Sequence, residues 1–132
     1  MAIWDEYDQF HLTTDRVGMV SYAELSRWLD DLAQRRGAGS ELKMLHLGRS
    51  WLGREIRGIQ LGTGSKHVLL WSQMHGDEPT HTVVLLELLQ MLTSEHPQAI
   101  HLRSELRFTI VPMLNPDGAV LDTRQNGQGI DV

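Results

Sequence analysis

The fold is decided by residues 68–84, which read VLLWSQMHGDEPTHTVV and change from apolar to polar and back to apolar. Residues 68–71 are continuously apolar, as expected of an inner strand that is covered on both faces in an α/β sheet. Residues 83–92 are apolar nearly all round, and Pro79 suits the first turn of a helix because its missing N–H would have no partner there. The stretch therefore predicts a strand, a polar connection and a deeply buried helix.

The segments before this stretch predict a helix and a hairpin. Ser21 and Glu24 have the spacing of a capping box, so we expect a helix to begin there and to end at Gly37, which can adopt a left-handed conformation. Residues 43–48 and 56–61 predict two short strands around a turn, which is typical of an antiparallel pair.

The segments after it predict a strand and a turn. Residues 106–110 alternate between apolar and polar side chains, as a half-buried strand does. The motif Asn115-Pro116-Asp117-Gly118 fits the four positions of a type I turn, and we assign it a scaffolding role. The order helix, hairpin, strand, helix, strand predicts the α/β class, with a mixed β-sheet flanked by helices.

Composition limits the classes of function. The 132 residues, 41% of them hydrophobic, suffice for one modest core. With 17 acidic against 12 basic residues and no dense basic stripe, we expect no nucleic-acid partner. No apolar run reaches membrane-spanning length, so we expect no membrane partner, and no signal peptide is visible at the start, which favours the cytoplasm. Because the chain has no cysteine, a metal would need His, Asp or Glu ligands.

His75 and Glu78 lie where open α/β sheets bind ligands, at the C-terminal end of one strand and before the next helix. The imidazole and the carboxylate, three residues apart, could share a Zn²⁺ at about 2 Å from each. Gly76 would permit a tight turn between them. Taken alone, a His-x-x-Glu pair is common by chance, and its other interpretation is a surface histidine beside a helix-capping carboxylate.

The pair has neighbouring motifs in a specific order. They are Ser50-x-x-Gly53-Arg54, His75-Gly76-Asp77-Glu78, Asn115-Pro116-Asp117-Gly118, Arg124-x-Asn126 and Gly129-Ile130-Asp131. As an ordered set, from about Leu45 to Val132, they resemble the zinc metallocarboxypeptidases of the carboxypeptidase A family. The resemblance implies a phosphorylase/hydrolase-like zinc carboxypeptidase fold, with residues 1–20 as a polar N-terminal segment and residues 21–132 as the N-terminal half of the catalytic domain.

The resemblance also implies the roles of four residues. His75 and Glu78 would be the first two ligands of Zn²⁺, and Arg124 would be the catalytic arginine that polarises the scissile carbonyl. Asp131 would accept a hydrogen bond from the other ring nitrogen of His75, which would fix the tautomer and strengthen the ligand. The implied partner is a peptide or peptide-like substrate, which would be hydrolysed at its C-terminal peptide bond.

The sequence departs from the family after Asp131. The family continues with an Asn-Arg pair for the substrate carboxylate, and later supplies the third zinc ligand, the general base, a tyrosine and the specificity pocket, whereas this chain ends at Val132. His81, three residues after Glu78, could complete a makeshift site, but we interpret it as a helix-surface or packing residue. We therefore expect these 132 residues alone to hydrolyse no peptide and to bind zinc weakly, since two ligands cannot close a tetrahedral site.

One further expectation concerns assembly. If the sheet follows the strand order of the family, residues 67–74 would form an exposed edge with unpaired backbone groups. We expect this edge to make the chain self-associate.

Three other interpretations remain open. A zinc deacylase of the aspartoacylase and succinylglutamate desuccinylase type shares the His-x-x-Glu pattern but acts on acyl-amino acids, and the Asn-Pro-Asp-Gly and Arg-x-Asn motifs favour the peptidase. A noncatalytic binding module could keep the same fold, which would gain weight if the gene stops at Val132. A generic α/β domain with chance motifs would be supported if mutation of His75 left the metal content unchanged. The reading frame after Val132 would separate these interpretations.

Overall fold

A computed structural model describes residues 8–12, 18–35 and 42–132. The elements in this part of the chain are, in order, α1 (Tyr22–Gln34), β1 (Lys43–Arg49), β2 (Glu55–Leu61), β3 (Lys66–Trp71), α2 (Thr80–Leu92), α3 (Pro97–Glu105), β4 (Leu106–Val111) and α4 (Pro116–Leu121). The predicted helix, hairpin, strand, helix and final strand are all among them.

The start of α1 confirms the predicted capping box. The hydroxyl of Ser21 accepts a hydrogen bond from the Glu24 N–H at 3.2 Å, and the Glu24 carboxylate accepts one from the Ser21 N–H at 2.7 Å. Two N–H groups that a helix start leaves open are thereby satisfied. The helix buries Leu25 and Leu29 in the core. Gly37, the predicted end of this helix, lies outside the described residues.

The four strands form one sheet in the order β1-β2-β4-β3. β1 pairs with β2 and β2 with β4 in antiparallel fashion, whereas β3 and β4 are parallel. The prediction of a mixed sheet flanked by helices is confirmed, and so is the antiparallel hairpin. The parallel pair matters most for function, because the connections that leave β3 and β4 emerge at the same end of the sheet.

Among the residues that the structure describes, β3 is an edge strand, so the prediction of an inner strand is wrong for this part of the sheet. It lies beside β4 at the end of the sheet, with Leu69 58% and Trp71 52% exposed. Val68 and Leu70 pack against the core from the other face. The continuous apolar run shows that both faces suit burial, but it does not show which faces this chain covers. The edge position agrees with the alternative expectation for residues 67–74.

α2 supplies much of the core. Leu86 and Leu89 are fully buried and belong to the same cluster as Ile59 of β2 and Ile110 of β4. The prediction of a buried helix therefore holds on most sides, although Val84 is half-exposed. No helix in the described part of the chain combines the length and apolar character needed to cross a bilayer.

The segment before α1 also reaches the core. Phe10 and Val20 are buried, and Leu12 packs against the same cluster. The N–H of Leu12 donates to the carboxylate of Glu87 in α2 at 3.1 Å. The described part of residues 1–20 thus contains apolar anchors as well as polar residues.

Two helices differ from the sequence interpretation. The sequence interpretation contains no counterpart of α3. His96 caps this helix by accepting a hydrogen bond from the Gln98 N–H at 3.1 Å, and a proline stands at the first helical position. α4 stands where an isolated type I turn was predicted. The side chain of Asn115 accepts from the Gly118 N–H at 2.9 Å, and the chain then continues as a helix. A type I turn has nearly the dihedral angles of one helical turn, so the motif suits both.

Candidate active site

The connection from β3 to α2, residues 72–79, runs beside the segment that follows β4. The Ser72 N–H donates to the carbonyl of Val111 at 3.1 Å, the Leu114 N–H to the carbonyl of Ser72 at 3.0 Å, and the Asn115 N–H to the carbonyl of Gln73 at 3.1 Å. These bonds extend the parallel pairing beyond the end of β3. The connection is therefore fixed at the carboxyl end of the two strands, where α/β sheets bind ligands.

His75 and Glu78 face each other across this connection. Nδ1 of His75 lies 3.2 Å from Oε1 of Glu78, and the Glu78 N–H donates to the His75 carbonyl at 3.2 Å. Two ligand atoms bound to one tetrahedral Zn²⁺ at about 2.0–2.1 Å are about 3.3 Å apart. The observed separation is therefore close to the one that a shared zinc ion would require.

Arg124 and Asp131 complete the group and indicate the tautomer of His75. Nη1 of Arg124 lies 3.2 Å from His75 Nδ1. A guanidinium can only donate hydrogen bonds, so this contact favours a lone pair on Nδ1, whereas the acceptor Oε1 of Glu78 at 3.2 Å from the same nitrogen favours a proton there. The other ring nitrogen, Nε2, lies 3.3 Å from Oδ1 of Asp131, and in the tautomer that the Arg124 and Asp131 contacts favour it carries the proton. In that tautomer, the nitrogen that faces Glu78 is the one able to bind a metal.

The Arg124–Asp131 pair is the shortest polar contact among these four side chains. Nε of Arg124 donates to Oδ2 of Asp131 at 2.8 Å. This hydrogen bond raises the pKa of Arg124 above its ordinary value and lowers the pKa of Asp131 below its own. The charges of Glu78 and Asp77 also raise the pKa of Arg124. Asp131 is therefore an ionised acceptor for His75, and Arg124 is a permanent cation beside the histidine and the glutamate.

Gly76 is needed for close packing rather than for turn geometry. A tight turn forms here, as expected, since the Glu78 N–H donates to the His75 carbonyl, but the φ of Gly76 lies outside the left-handed region, so this turn does not need glycine for a positive φ. A Cβ on Gly76 would lie 1.9 Å from the carbonyl carbon of Gly118 and 2.3 Å from the nitrogen of Ala119. The connection between the two candidate ligands thus rests directly on the backbone of α4.

Asp117 anchors α4 to the turn between β1 and β2. Its side chain is only 1% exposed. Oδ1 accepts from Nη1 of Arg54 and from the hydroxyl of Ser50, both at 2.7 Å, and Oδ2 accepts from the Leu52 N–H at 2.9 Å. Burial alone would raise the pKa of Asp117, but these hydrogen bonds and the charge of Arg54 outweigh it and lower the pKa. This network agrees with the scaffolding role expected of residues 115–118.

Sequence reasoning missed a buried polar cluster beneath the connection. Gln73 has a left-handed φ of 50°, and its side-chain amide donates to the Gly76 carbonyl at 2.8 Å and accepts from the Thr82 hydroxyl at 2.8 Å. Ser72 and Thr82 both contact the carbonyl of Pro112. The sequence signal was a polar pair directly after an apolar strand, together with a threonine in an apolar helix.

His81 stays apart from the candidate site. It lies exposed on α2, which agrees with its interpretation as a helix-surface residue. Across residues 8–12, 18–35 and 42–132, no three His, Asp or Glu side chains are grouped so that they could hold a metal ion. The described part of the chain therefore brings together two candidate ligands, one arginine and one supporting carboxylate.

Known proteins resemble the chain over most of its length. A family model described as "Zinc carboxypeptidase" matches residues 25–131. Cytosolic carboxypeptidase 6 from Homo sapiens is 30% identical over 114 residues, which cover 76% of this chain and 21% of that protein. Zinc carboxypeptidase A 1 from Anopheles gambiae is 33% identical over 98 residues, which cover 72% of this chain and 22% of that protein.

A solved structure agrees with these matches. The crystal structure of a metallo-carboxypeptidase from Burkholderia cenocepacia superposes with a TM-score of 0.75 and 25% sequence identity, covering 86% of this chain and 32% of that chain. The chain thus spans about a fifth of the length of the curated relatives named above. From the family match and the shared fold we conclude that this chain belongs to the zinc carboxypeptidase family.

Proposed function

We propose that this protein is a zinc metallocarboxypeptidase that hydrolyses the C-terminal peptide bond of a peptide or peptide-like substrate. The observation that carries the proposal is the 3.2 Å separation of His75 Nδ1 and Glu78 Oε1 at the carboxyl end of the parallel strands. Membership of the zinc carboxypeptidase family supports it. The names of the relatives favour a peptidase over the zinc deacylase, and the family match removes the generic domain with chance motifs from consideration.

Each side chain has a definite part in this proposal. His75 and Glu78 would hold the zinc ion through Nδ1 and Oε1. When bound, zinc supplies Lewis-acid polarisation of a carbonyl and lowers the pKa of a bound water. Asp131 keeps the proton of His75 on Nε2, so that Nδ1 stays available as a ligand.

Arg124 would act on the substrate. Asp131 holds this half-exposed guanidinium through Nε, and Nη1, which lies 3.2 Å from His75 Nδ1, could donate to a substrate once that nitrogen binds zinc. A donor fixed beside the metal ligands can stabilise negative charge as it develops on the carbonyl oxygen of the scissile bond. Because the guanidinium stays charged, this contribution needs no proton transfer.

Replacing Arg124 by alanine tests this role. In the protein as its gene encodes it, we expect Arg124→Ala to lower kcat/KM for release of C-terminal residues by about 10²–10³-fold, the range for loss of one such donor. Zinc content should stay that of the wild type. Arg124→Lys should restore only part of the rate, since an ammonium cannot hold Asp131 and the substrate in the same geometry. The measurement is steady-state kinetics on a peptide series with matched zinc analysis.

Two outcomes would contradict the proposal. One is an Arg124→Ala variant that keeps the wild-type kcat/KM. The other is a zinc-loaded wild-type protein that releases no C-terminal residue from peptides with basic, aromatic, acidic or small ends.

We also propose that the exposed edge of β3 lets two copies of the 132-residue chain pair. Leu69 and Trp71 are more than half exposed on this strand, and an edge strand presents unpaired N–H and C=O groups to other strands. We expect light scattering to show a mass that rises with concentration. Trp71→Lys should weaken this association because edge lysines oppose strand pairing. Trp51→Lys is the matched control, since Trp51 is exposed in the turn between β1 and β2. A chain that stays a monodisperse monomer at high concentration would contradict pairing through β3.

A further inference from the structure

Gln73 has an unusual backbone for its residue type. Its φ of 50° lies in the left-handed region, which glycine and asparagine adopt readily and other residues seldom do. Its side chain is nevertheless buried, with the residue only 5% exposed. A disfavoured conformation persists only where the surroundings hold it in place, and such residues concentrate at functional sites.

The side chain of Gln73 joins the two ends of the connection that carries the candidate ligands. Its Nε2 donates to the carbonyl of Gly76, which lies between His75 and Glu78. Its Oε1 accepts from the hydroxyl of Thr82, in the first turn of α2. Both contacts are 2.8 Å long. One amide therefore ties the backbone between the ligands to the helix that follows them.

The backbone of Gln73 is fixed as well. Its carbonyl accepts from the Asn115 N–H at 3.1 Å, and the Asn115 side chain donates to the carbonyl of Met74 at 3.1 Å. The amide that reaches Gly76 thus starts from a point anchored to the segment after β4. The two hydrogen bonds of the Gln73 amide itself are buried, where such bonds are stronger than in water.

Length explains why glutamine stands here. Glycine or asparagine would suit the left-handed backbone better, but glycine has no amide, and the amide of asparagine is one methylene closer to the backbone. Glutamine can span from its anchored carbonyl to both Gly76 and Thr82. Glutamine thus provides a side chain long enough for both hydrogen bonds, although its backbone conformation is unfavourable.

We propose that Gln73 is a positioning residue that holds His75 and Glu78 at the spacing a shared zinc ion requires; this inference rests on the proposed zinc-binding function. Gln73 touches neither ligand side chain directly. It acts through the Gly76 carbonyl and the start of α2, which together set the direction of the connection between the ligands. Partners that orient ligands in this way are worth about 10–100-fold in metal affinity.

The test compares zinc affinity with folding stability in the protein as its gene encodes it. Gln73→Asn and Gln73→Gly keep a backbone suited to φ 50° but lose the reach, so we expect zinc to bind about 10–100-fold more weakly. The melting temperature of the metal-free protein should also fall, because buried hydrogen-bonding groups lose their partner. Thr82→Val removes the other end of the bridge and should weaken binding in the same direction. The probes are competition with a chelator for Zn²⁺ and the visible spectrum of Co²⁺, which reports distorted ligand geometry.

Ser72→Ala is the matched control. It removes hydrogen bonds to Thr82 and to the carbonyl of Pro112 in the same cluster but removes no atom of the Gln73 amide, the Gly76 carbonyl or the Thr82 hydroxyl. We expect it to lower the melting temperature while zinc affinity stays near that of the wild type. An effect of Ser72→Ala on zinc as large as that of Gln73→Asn would overturn the proposal.

The remaining outcomes separate this inference from the proposed function. If His75→Ala loses zinc but both Gln73 variants bind it as tightly as the wild type, the positioning role is wrong and the zinc site stands. If His75→Ala binds zinc as tightly as the wild type, the proposed function fails and the positioning role fails with it.

Discussion

Replacing Gly76 by alanine is expected to lower the free energy of unfolding by more than about 3 kcal/mol, the upper end of the usual cost of overpacking. The new Cβ would lie 1.9 Å from the carbonyl carbon of Gly118 and 2.3 Å from the nitrogen of Ala119. Overpacking is milder where a flexible side chain can move away, but here the obstructing atoms are backbone. The connection or α4 would have to shift. Denaturant unfolding of both proteins measures the loss.

Gly129→Ala provides the matched control for this change. Gly129 has a φ of 76°, and a Cβ there would meet nothing within 4 Å. We expect a loss of about 1 kcal/mol, which reflects only the left-handed backbone. Equal losses for Gly76→Ala and Gly129→Ala would contradict the close packing of the connection on α4.

Local structure could be read from the sequence where short-range physics determines it. The capping box at Ser21 and Glu24 predicted the start of α1, and apolar alternation over residues 106–110 predicted β4. The capping box and the alternation both depend on residues only a few positions apart in the sequence, so tertiary contacts did not alter the predicted helix start or the predicted strand. Gly76 shows the limit of such reasoning, because the reason for a glycine there is the backbone of Gly118, which lies 42 residues away along the chain.

Strand placement was harder, because burial depends on the whole sheet. Residues 68–71 are apolar without interruption, which favours an inner strand, yet β3 lies at the edge. An apolar pattern shows that both faces of a strand are suited to burial. It does not show which strands or helices lie next to that strand.

The candidate site was accessible from the sequence through the ordered motifs rather than through spacing alone. Arg124 is 49 residues from His75, and no periodicity links two positions so far apart. The resemblance named both, and the structure brings them to 3.2 Å. Gln73 and Thr82 belong to no comparable motif, and the polar residues after an apolar strand and within an apolar helix do not by themselves show which of them pair.

Replacing His75 by alanine is expected to have the largest effect on metal binding. It removes the nitrogen that faces Glu78, and with it one of the two candidate ligands in the described part of the chain. We expect zinc affinity in the protein as its gene encodes it to fall by more than about 100-fold, beyond the effect of losing a partner that only orients a ligand. His81→Ala is the matched control, since this histidine lies exposed on α2 and its loss should leave zinc affinity unchanged.

The same argument applies to the 132 residues taken alone. The two candidate ligands among the described residues would leave half of a tetrahedral zinc site unfilled, so we propose that this chain binds zinc weakly and hydrolyses no peptide. Sub-micromolar zinc binding by the chain that survives His81→Ala would contradict this. Loss of such binding in His81→Ala would instead identify His81 as a third ligand.

The most direct test of the zinc site is calorimetric titration of Zn²⁺ into the wild type, His75→Ala and His81→Ala, each prepared free of metal as the full protein that its gene encodes. We predict one tight site per molecule in the wild type and in His81→Ala, and its loss in His75→Ala. Equal zinc affinity in the wild type and His75→Ala would contradict the assignment of His75 and Glu78 as metal ligands.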